Sequence, residues 1–534
     1  MSRRIRIGRK QIEVPESRLD RAINAISPAW GNKRLQHRIR TAMTGSYTGA
    51  SKKRRQTKSW QTTGGDADAD QIFDLPTLRE RSRDHIRNTP LACGAVNTVV
   101  TNVVGSGLAL NAEIDHEYLG LSEEQAAEWE SQAERLWKLW AESKECDSSR
   151  EQKFADIQDL AFRQTLENGD VFAVLPRFAR NGGPFDLKVQ LVEADRIYNK
   201  DNTDDTANHI AGIHKDPTTG AATKIDIARQ HPGSALNLDK EKWDTVEIYG
   251  EKTGQPNVLH LKRILRPGQT RGVPYLAPVI EAFKQLDRYT EAELMAAVIS
   301  GMFTVFIKTE AGEPGLGPMQ PTSETGGSVD DDDYKMASGA IIDLGKDESI
   351  ETANPGRPNT AFDPFVQAIL RQIGVALELP FEVLIKHFTS SYTAARGALL
   401  SAWQFFGARR LWLAGDFCQP IYETFLYEQI VSGNLVAPGF LTDPLIRKAY
   451  TGAKWIGPTK GMLDEEKEIK AAEKRIDMTI STHQEETAAL TGGDWSRKFP
   501  RAKREHKLIS DAGMLPKNLQ VQPAAPDANE DDKE

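Results

Sequence analysis

Cysteine is scarce in this chain. Three occur in 534 residues: Cys93, Cys146 and Cys418. They are far apart and form no CxxC pair, which excludes a disulfide framework and gives no zinc-ligand spacing. That usage suits a reducing compartment. Long hydrophobic runs are also absent. The longest, Leu294 to Ile307, is about fourteen residues and contains Ser300, Gly301 and Thr304, too short and too polar to span a bilayer. The N-terminus lacks the charged, apolar, small-residue order of a signal peptide. Catalytic motifs are missing too: there is no HExxH, GxSxG, Walker A, or GxGxxG after a strand. The ten histidines are scattered. His387 lies beside Ser390, Ser391 and Tyr392, but nothing nearby supplies an orienting third group or an oxyanion hole. No catalytic residue, cofactor or metal site is expected.

What is present is an ordinary globular composition, 39% hydrophobic and 27% charged, with an uneven charge. Residues 1–60 hold sixteen Lys and Arg against three acidic residues, so the net −8 leaves the rest at about −21. The basic arm includes Arg3, Arg4, Arg6, Lys52, Lys53, Arg54 and Arg55. Residues 1–75 are expected to be poorly ordered, serving either as a solvated tail or as a contact for nucleic acid or an acidic partner. An acidic body does not suit a protein that grips nucleic acid with its whole surface.

The stretch Arg271 to Ile307 organises the remainder. Gly272, Pro274 and Pro278 set a helix start. Val279, Ile280, Phe283 and Leu286 recur on one helix face, with Glu281, Lys284, Asp287, Arg288 and Glu291 on the others. From Leu294 to Ile299 the polar face disappears, which predicts burial on most sides. Upstream, 78–104 predicts two helices divided at Asn88-Thr89-Pro90, with Thr89 as N-cap and Arg79, Arg83 and Arg87 as a basic ridge. Ser122 and Gln125 form a capping box for a helix to Trp140, whose Trp129, Ala133, Leu136, Trp137 and Trp140 make a packing stripe. Phe154 to Asn168 is amphipathic and stops at Gly169.

From Asp170 the period changes. Val171–Phe178 and Leu187–Val192 predict a hairpin around Asn181-Gly182-Gly183, and His209–His214 and Thr223–Ala228 a second one. Strands are also expected at Thr245–Ile248, Val258–Ile264 and Ala340–Leu344. Asp330–Asp333 lack the spacing of a calcium loop. Phe362–Leu379 returns to helix until Pro380. Residues 386–397 are small and polar, and Trp403–Val431 is helical with a break at Pro420. Short helices follow, one capped by Ser481 and Gln484, before an acidic tail. The class is α+β.

Five blocks carry a family resemblance: RNTPLACGAVNTVVTNVVGSGL (87–108), NGDVFAVLP (168–176), VQLVEADRI (189–197), RPGQTRGVPYLAPVIEAFKQLDRYTEAELMAAVISGMF (266–303) and LPFEVLIKHFTSSYTAARGALLSAWQFFGARR (379–410). In this order they resemble the portal proteins of tailed bacteriophages, lambda-type branch. The resemblance implies a non-enzymatic homo-oligomer, a ring usually of twelve subunits at one capsid vertex of the virion, assembled in the host cytoplasm. Double-stranded DNA passes through it during packaging and ejection. It also implies contacts with the terminase large subunit, the major capsid protein and head-completion or connector proteins, and none with a membrane.

On that pattern the protomer divides as follows: arm 1–75; mixed helix and antiparallel-β wing 76–270; stem helix 271–302; clip 303–360; returning stem helix 361–385; tunnel loop 386–397; wing helix 398–431; crown 432–520; tail 521–534. The tunnel loop would bring His387, Thr389, Ser390, Ser391, Tyr392 and Arg396 to passing DNA. Two other classes remain open: an oligomeric DNA-binding or scaffold protein without a channel, and a metal-dependent nuclease using Asp330–Asp333.

Overall fold

Thr89-Pro90 shows how local chemistry sets this architecture. The computed structural model describes residues 2–7, 10–15, 27–28, 30, 33, 55–62, 64–235, 242–301, 305–309, 348–352, 361–388, 391–460, 464–512 and 514. They divide into two units, 1–70 and 71–534. In the first, Ser2–Ile7 (β1) and Lys10–Pro15 (β2) pair antiparallel, with Arg4 opposite Glu13 and Arg6 opposite Gln11. This is a regular element where only a loosely ordered arm was expected; Arg4-Ile5-Arg6-Ile7 has the two-residue strand period.

In the second unit, Leu75–Asn88 (α1) and Pro90–Val103 (α2) meet at Thr89, whose extended backbone lets Pro90 begin the next helix. Thr89 is the N-cap, as predicted, but its hydroxyl makes no capping bond. It donates instead to Asp287 Oδ2 at 2.8 Å, tying this corner to a helix about 200 residues later. α2 buries Ala92, Ala95, Val96, Val99 and Val103, and Ala109–Ala112 (β3) follows. Glu123–Ala141 (α3) carries the predicted capping box in both directions between Ser122 and Gln125. Its tryptophan stripe is core. The Trp137 ring lies 4.8–5.8 Å from those of Trp140, Phe154, Phe425, Tyr422 and Trp455. Phe154–Asn168 (α4) stops at Gly169.

The β region forms two sheets. Asp170–Val174 (β4) pairs with Gln190–Glu193 (β5), while His209–Ile210 (β6), Ile213–Lys215 (β7), Ala222–Ala228 (β8) and Trp243–Glu247 (β9) form an antiparallel meander. Val258–Lys262 (β10) then completes the first sheet on the other edge of β4. The single strand expected over His209–His214 is split by Ala211-Gly212, both left-handed (φ 48° and 82°), a two-residue hairpin turn. Phe172, Val192, Ile197, Ile213, Ile225, Ile227, Ile248 and Val258 form a small second core between the sheets.

Ile280–Gly301 (α5) buries Phe283 and Leu286, and its Tyr289 ring packs on Phe362 and Phe365. Beyond that point the prediction of burial fails within the single chain: Leu294, Met295 and Val298 are 64%, 56% and 45% exposed. Val305–Thr309 (β11) pairs antiparallel with Glu348–Thr352 (β12). The strand expected at Ala340–Leu344 lies outside the described residues, as do Asp330–Asp333. Phe362–Ala376 (α6) ends earlier than expected, and Phe381–Ile385 (α7) follows Pro380.

Tyr392–Leu413 (α8) passes through a π-helical turn, Ala414–Cys418, into Gln419–Val431 (α9), so the break predicted at Pro420 falls just before it. Ala453–Ile456 (β13) returns to pair with β3. Glu465–Asp477 (α10), His483–Thr491 (α11) and Trp495–Asp511 (α12) complete the C-terminal part. The capping box of α11 uses Thr482 and Glu485, not Ser481 and Gln484. Gln484 is occupied by the next helix: its Oε1 accepts from the backbone N–H of Trp495.

A buried charge cluster joins these parts. Asp170, at the start of β4, has no exposed carboxylate surface. Arg271 Nε donates to its Oδ2 at 2.6 Å and Nη2 to its Oδ1 at 3.2 Å, and Arg79 Nη2 donates to Oδ1 at 2.8 Å. The Gly272 N–H and His260 Nε2 complete the shell at 3.1 Å each. Arg271 uses all five donors, the other three going to the carbonyls of Ile197, Ala211 and Ala194. Arg83 reaches Asp195 at 2.6 Å and Glu193 at 3.0 Å. Of the expected basic ridge, therefore, Arg79 and Arg83 serve internal pairs and only Arg87 is exposed.

Burial alone would raise the Asp170 carboxyl, but Arg271, Arg79 and the His260 bond together hold it well below its ordinary value. Burial pushes His260 down to about 4, against the opposing pull of Asp170. Beside the cluster, the backbones of Gly169 (φ 91°) and Gly272 touch, and a Cβ on Gly272 would overlap the Gly169 carbonyl.

Asp170→Asn leaves two buried guanidiniums short of a charge partner and should cost about 3–5 kcal/mol. Denaturant unfolding at fixed protein concentration reads this; a loss below about 1 kcal/mol would remove the cluster from its central role. His260 has a lower folded than unfolded pKa, so the unfolded chain takes up the proton first as pH falls. Stability should therefore drop between about pH 6.5 and about 4, by at most ~1.4 kcal/mol per unit from this residue. His260→Gln should flatten that part of the profile, and an unchanged slope would assign it elsewhere.

Candidate nucleic-acid interface

α7 buries Val383 and Leu384 in the main core and ends at Lys386, whose left-handed backbone (φ 54°) turns the chain outward. Residues 386–391 connect to α8. The predicted loop 386–397 is thus shorter than expected, because α8 begins at Tyr392 with Ser391 at its N-cap. Tyr-Thr-Ala-Ala-Arg is small and polar, yet Ala and Arg are strong helix formers, which the composition argument overlooked.

Of the six expected DNA-facing residues, His387 and Ser391 are exposed in the connection, and Tyr392 and Arg396 are exposed on the first turns of α8. Thr389 and Ser390 lie outside the described residues. Phe388, 49% exposed, joins this surface. Nearby, Asp464 is held below its ordinary value first by hydrogen bonds from Lys467, with Arg396 adding to the effect.

The second half of α8 is anchored. Phe405, Phe406, Arg409 and Leu413 are buried. Arg410 donates to the carbonyls of Val103 and Asn102, at 3.1 and 2.9 Å, closing the C-terminus of α2, and its guanidinium lies over Trp403. Arg409 pairs with Glu378 at 3.2 Å and lies over Phe405; burial pushes it down to about 10. These two arginines hold the helix in the body, and its N-terminal turns project from that anchor.

Of the basic arm, Arg3, Arg4 and Arg6 stand in β1, Arg55 is exposed, and Lys52, Lys53 and Arg54 lie outside the described residues. Sequence reasoning missed a further basic surface. α12 carries six Lys and Arg against two acids, and Lys498, Arg501, Lys503, Arg504 and Lys507 are all exposed. Their density in one helical segment was the available signal.

Comparison with known proteins bears on this arrangement. The family described as phage portal protein, lambda family, matches residues 53–410. Portal protein B of Escherichia phage lambda is 24% identical over 481 residues, covering 86% of this chain and 89% of that protein. The portal protein of Escherichia phage N15 is 25% identical over 483 residues, with the same coverage. Among solved structures, a chain in the neck of a native gene transfer agent particle aligns over 79% of this chain and 94% of its own length, at 11% identity and a TM-score of 0.41. All five sequence blocks fall within the family match, and the chain belongs to the lambda family of phage portal proteins.

Proposed function

We propose that twelve copies of this chain form the ring at one capsid vertex through which double-stranded DNA is packaged and later ejected. Family membership over residues 53–410 carries the reading. The bare apolar end of α5 supports it: Leu294, Met295 and Val298 are exposed in one chain, and a neighbouring subunit in a ring would cover them. α5 and α6 act as the paired stem helices. The segment between them, which includes β11 and β12, faces the terminase large subunit, and head-completion or connector proteins take its place after packaging. The major capsid protein surrounds the ring in the virion, and assembly takes place in the host cytoplasm. The protein is a conduit without catalytic activity of its own, and the terminase supplies the work.

In this reading Phe388, Tyr392 and Arg396 approach the duplex. Their contact is transient because the body carries net negative charge; each phosphate neutralised by a basic side chain adds affinity that a conduit must avoid. Electron microscopy and native mass spectrometry of the purified protein should show a ring of about twelve copies with a hole wide enough for a duplex. Monomers that persist even when co-expressed with capsid or scaffold proteins would overturn the reading.

Deleting residues 1–60 separates the portal from a channel-free DNA-binding protein. Ring formation should survive the deletion; if salt-dependent DNA binding disappears and no ring ever forms, the second reading stands. Arg396→Glu should leave the ring intact and lower the DNA packaged per particle, while unchanged packaging would take Arg396 off the DNA path.

A further inference from the structure

We infer that the β6–β8 sheet of the wing contains a divalent transition-metal site formed by His209, His214 and Asp226. The argument starts from sheet register. His209 on β6 is directly opposite His214 on β7, and Asp226 lies on the adjoining β8. The alternate residues Ile213, Ile225 and Ile227 fill the small core, so the three ligating side chains share the opposite face.

The donor atoms converge. Both Nε2 atoms lie 3.0 Å from Asp226 Oδ2, and all three donors fall within 4.8 Å of one another. For comparison, the donor spacing of a tetrahedral site with ~2.0 Å bonds is ~3.3 Å. The two imidazoles are stacked, 3.9 Å apart and 11° from parallel.

Hydrogen bonding alone does not account for this geometry. His214 bonds to Asp226 Oδ2, but His209 Nε2 is buried, lies 3.0 Å from the same oxygen, and makes no hydrogen bond. A cation between the three would satisfy it. The surrounding shell is also in place: the Thr245 hydroxyl donates to Asp226 Oδ1 at 2.7 Å, orienting the carboxylate and leaving Oδ2 for the metal. Two imidazole donors and one carboxylate favour a first-row ion such as Zn2+ over Mg2+ or Ca2+. His214 is 35% exposed on its side chain, so the fourth position opens to solvent. The metal would pin β6, a strand of two residues, to the middle of the meander.

The test uses the full-length protein, stripped with chelator and dialysed, then titrated with Co2+ and, in competition, with Zn2+. One Co2+ per subunit is expected, with the visible bands of a four-coordinate site that Zn2+ abolishes. His214→Ala and His209→Ala should remove the stoichiometric binding, and Thr245→Val should weaken it about 10-fold. Ring formation and circular dichroism check that each variant folds; where one alanine variant fails to fold, the other carries the test. Absence of stoichiometric binding in the parent, or binding unchanged in a folded histidine variant, would overturn the inference.

Discussion

A carboxylate with no access to water must be matched by charge and hydrogen bonds on every side, and Asp170 is matched by groups from three separate parts of the chain. Arg79 comes from α1, His260 from β10, Arg271 and the Gly272 N–H from the turn leading to α5, and Asp170 itself from β4. Arg271 extends the arrangement by bonding three carbonyls of the segment that follows β5 and of the β6–β7 turn. The α1 helix, the two sheets and the turn leading into α5 therefore meet at one residue. The angle at which α5 leaves the body depends on a guanidinium whose donors are all engaged. An Asp170 neighbour that shifted would leave an unpaired buried charge, so the join resists gradual deformation.

Much of this was legible locally. The Ser122 capping box, the Thr89-Pro90 break, the tryptophan core stripe and most of the strands follow from short-range pattern, and they appear where that pattern predicts them. What escaped was long-range or depended on partners. Arg79 and Arg83 have the spacing of an exposed ridge, and nothing local says that Asp170 and Asp195, about a hundred residues later, draw them inward. The β3–β13 pairing joins segments too short and too ordinary to announce themselves. At the candidate DNA-facing site the expected loop ran too far, because its Ala-rich second half, from Tyr392, is helix.

The exposed end of α5 is a different kind of departure. Its apolar composition predicts burial, yet among the described residues nothing covers Leu294, Met295 and Val298. Amphipathic pattern reports what must be kept from water, not which molecule keeps it there. The apolar end of α5 is the part of the helix whose sequence pattern and exposure disagree. The net charge fits the same division: the acidic body repels a duplex over most of its surface, while α12 and the N-terminal arm concentrate the opposite charge in limited places.

The pairing of β3 with β13 also bears on synthesis. Ala109–Ala112 emerges early, but the strand that covers its edge, Ala453–Ile456, comes after α5, α6 and all of α8 and α9 have been made. A nascent chain therefore holds an open strand edge for most of its translation. Its closure is among the most non-local events in folding, and such events are slow. Chains released early from the ribosome would lack the closing strand, leaving them open to aggregation and to chaperone capture rather than to incorporation in a ring.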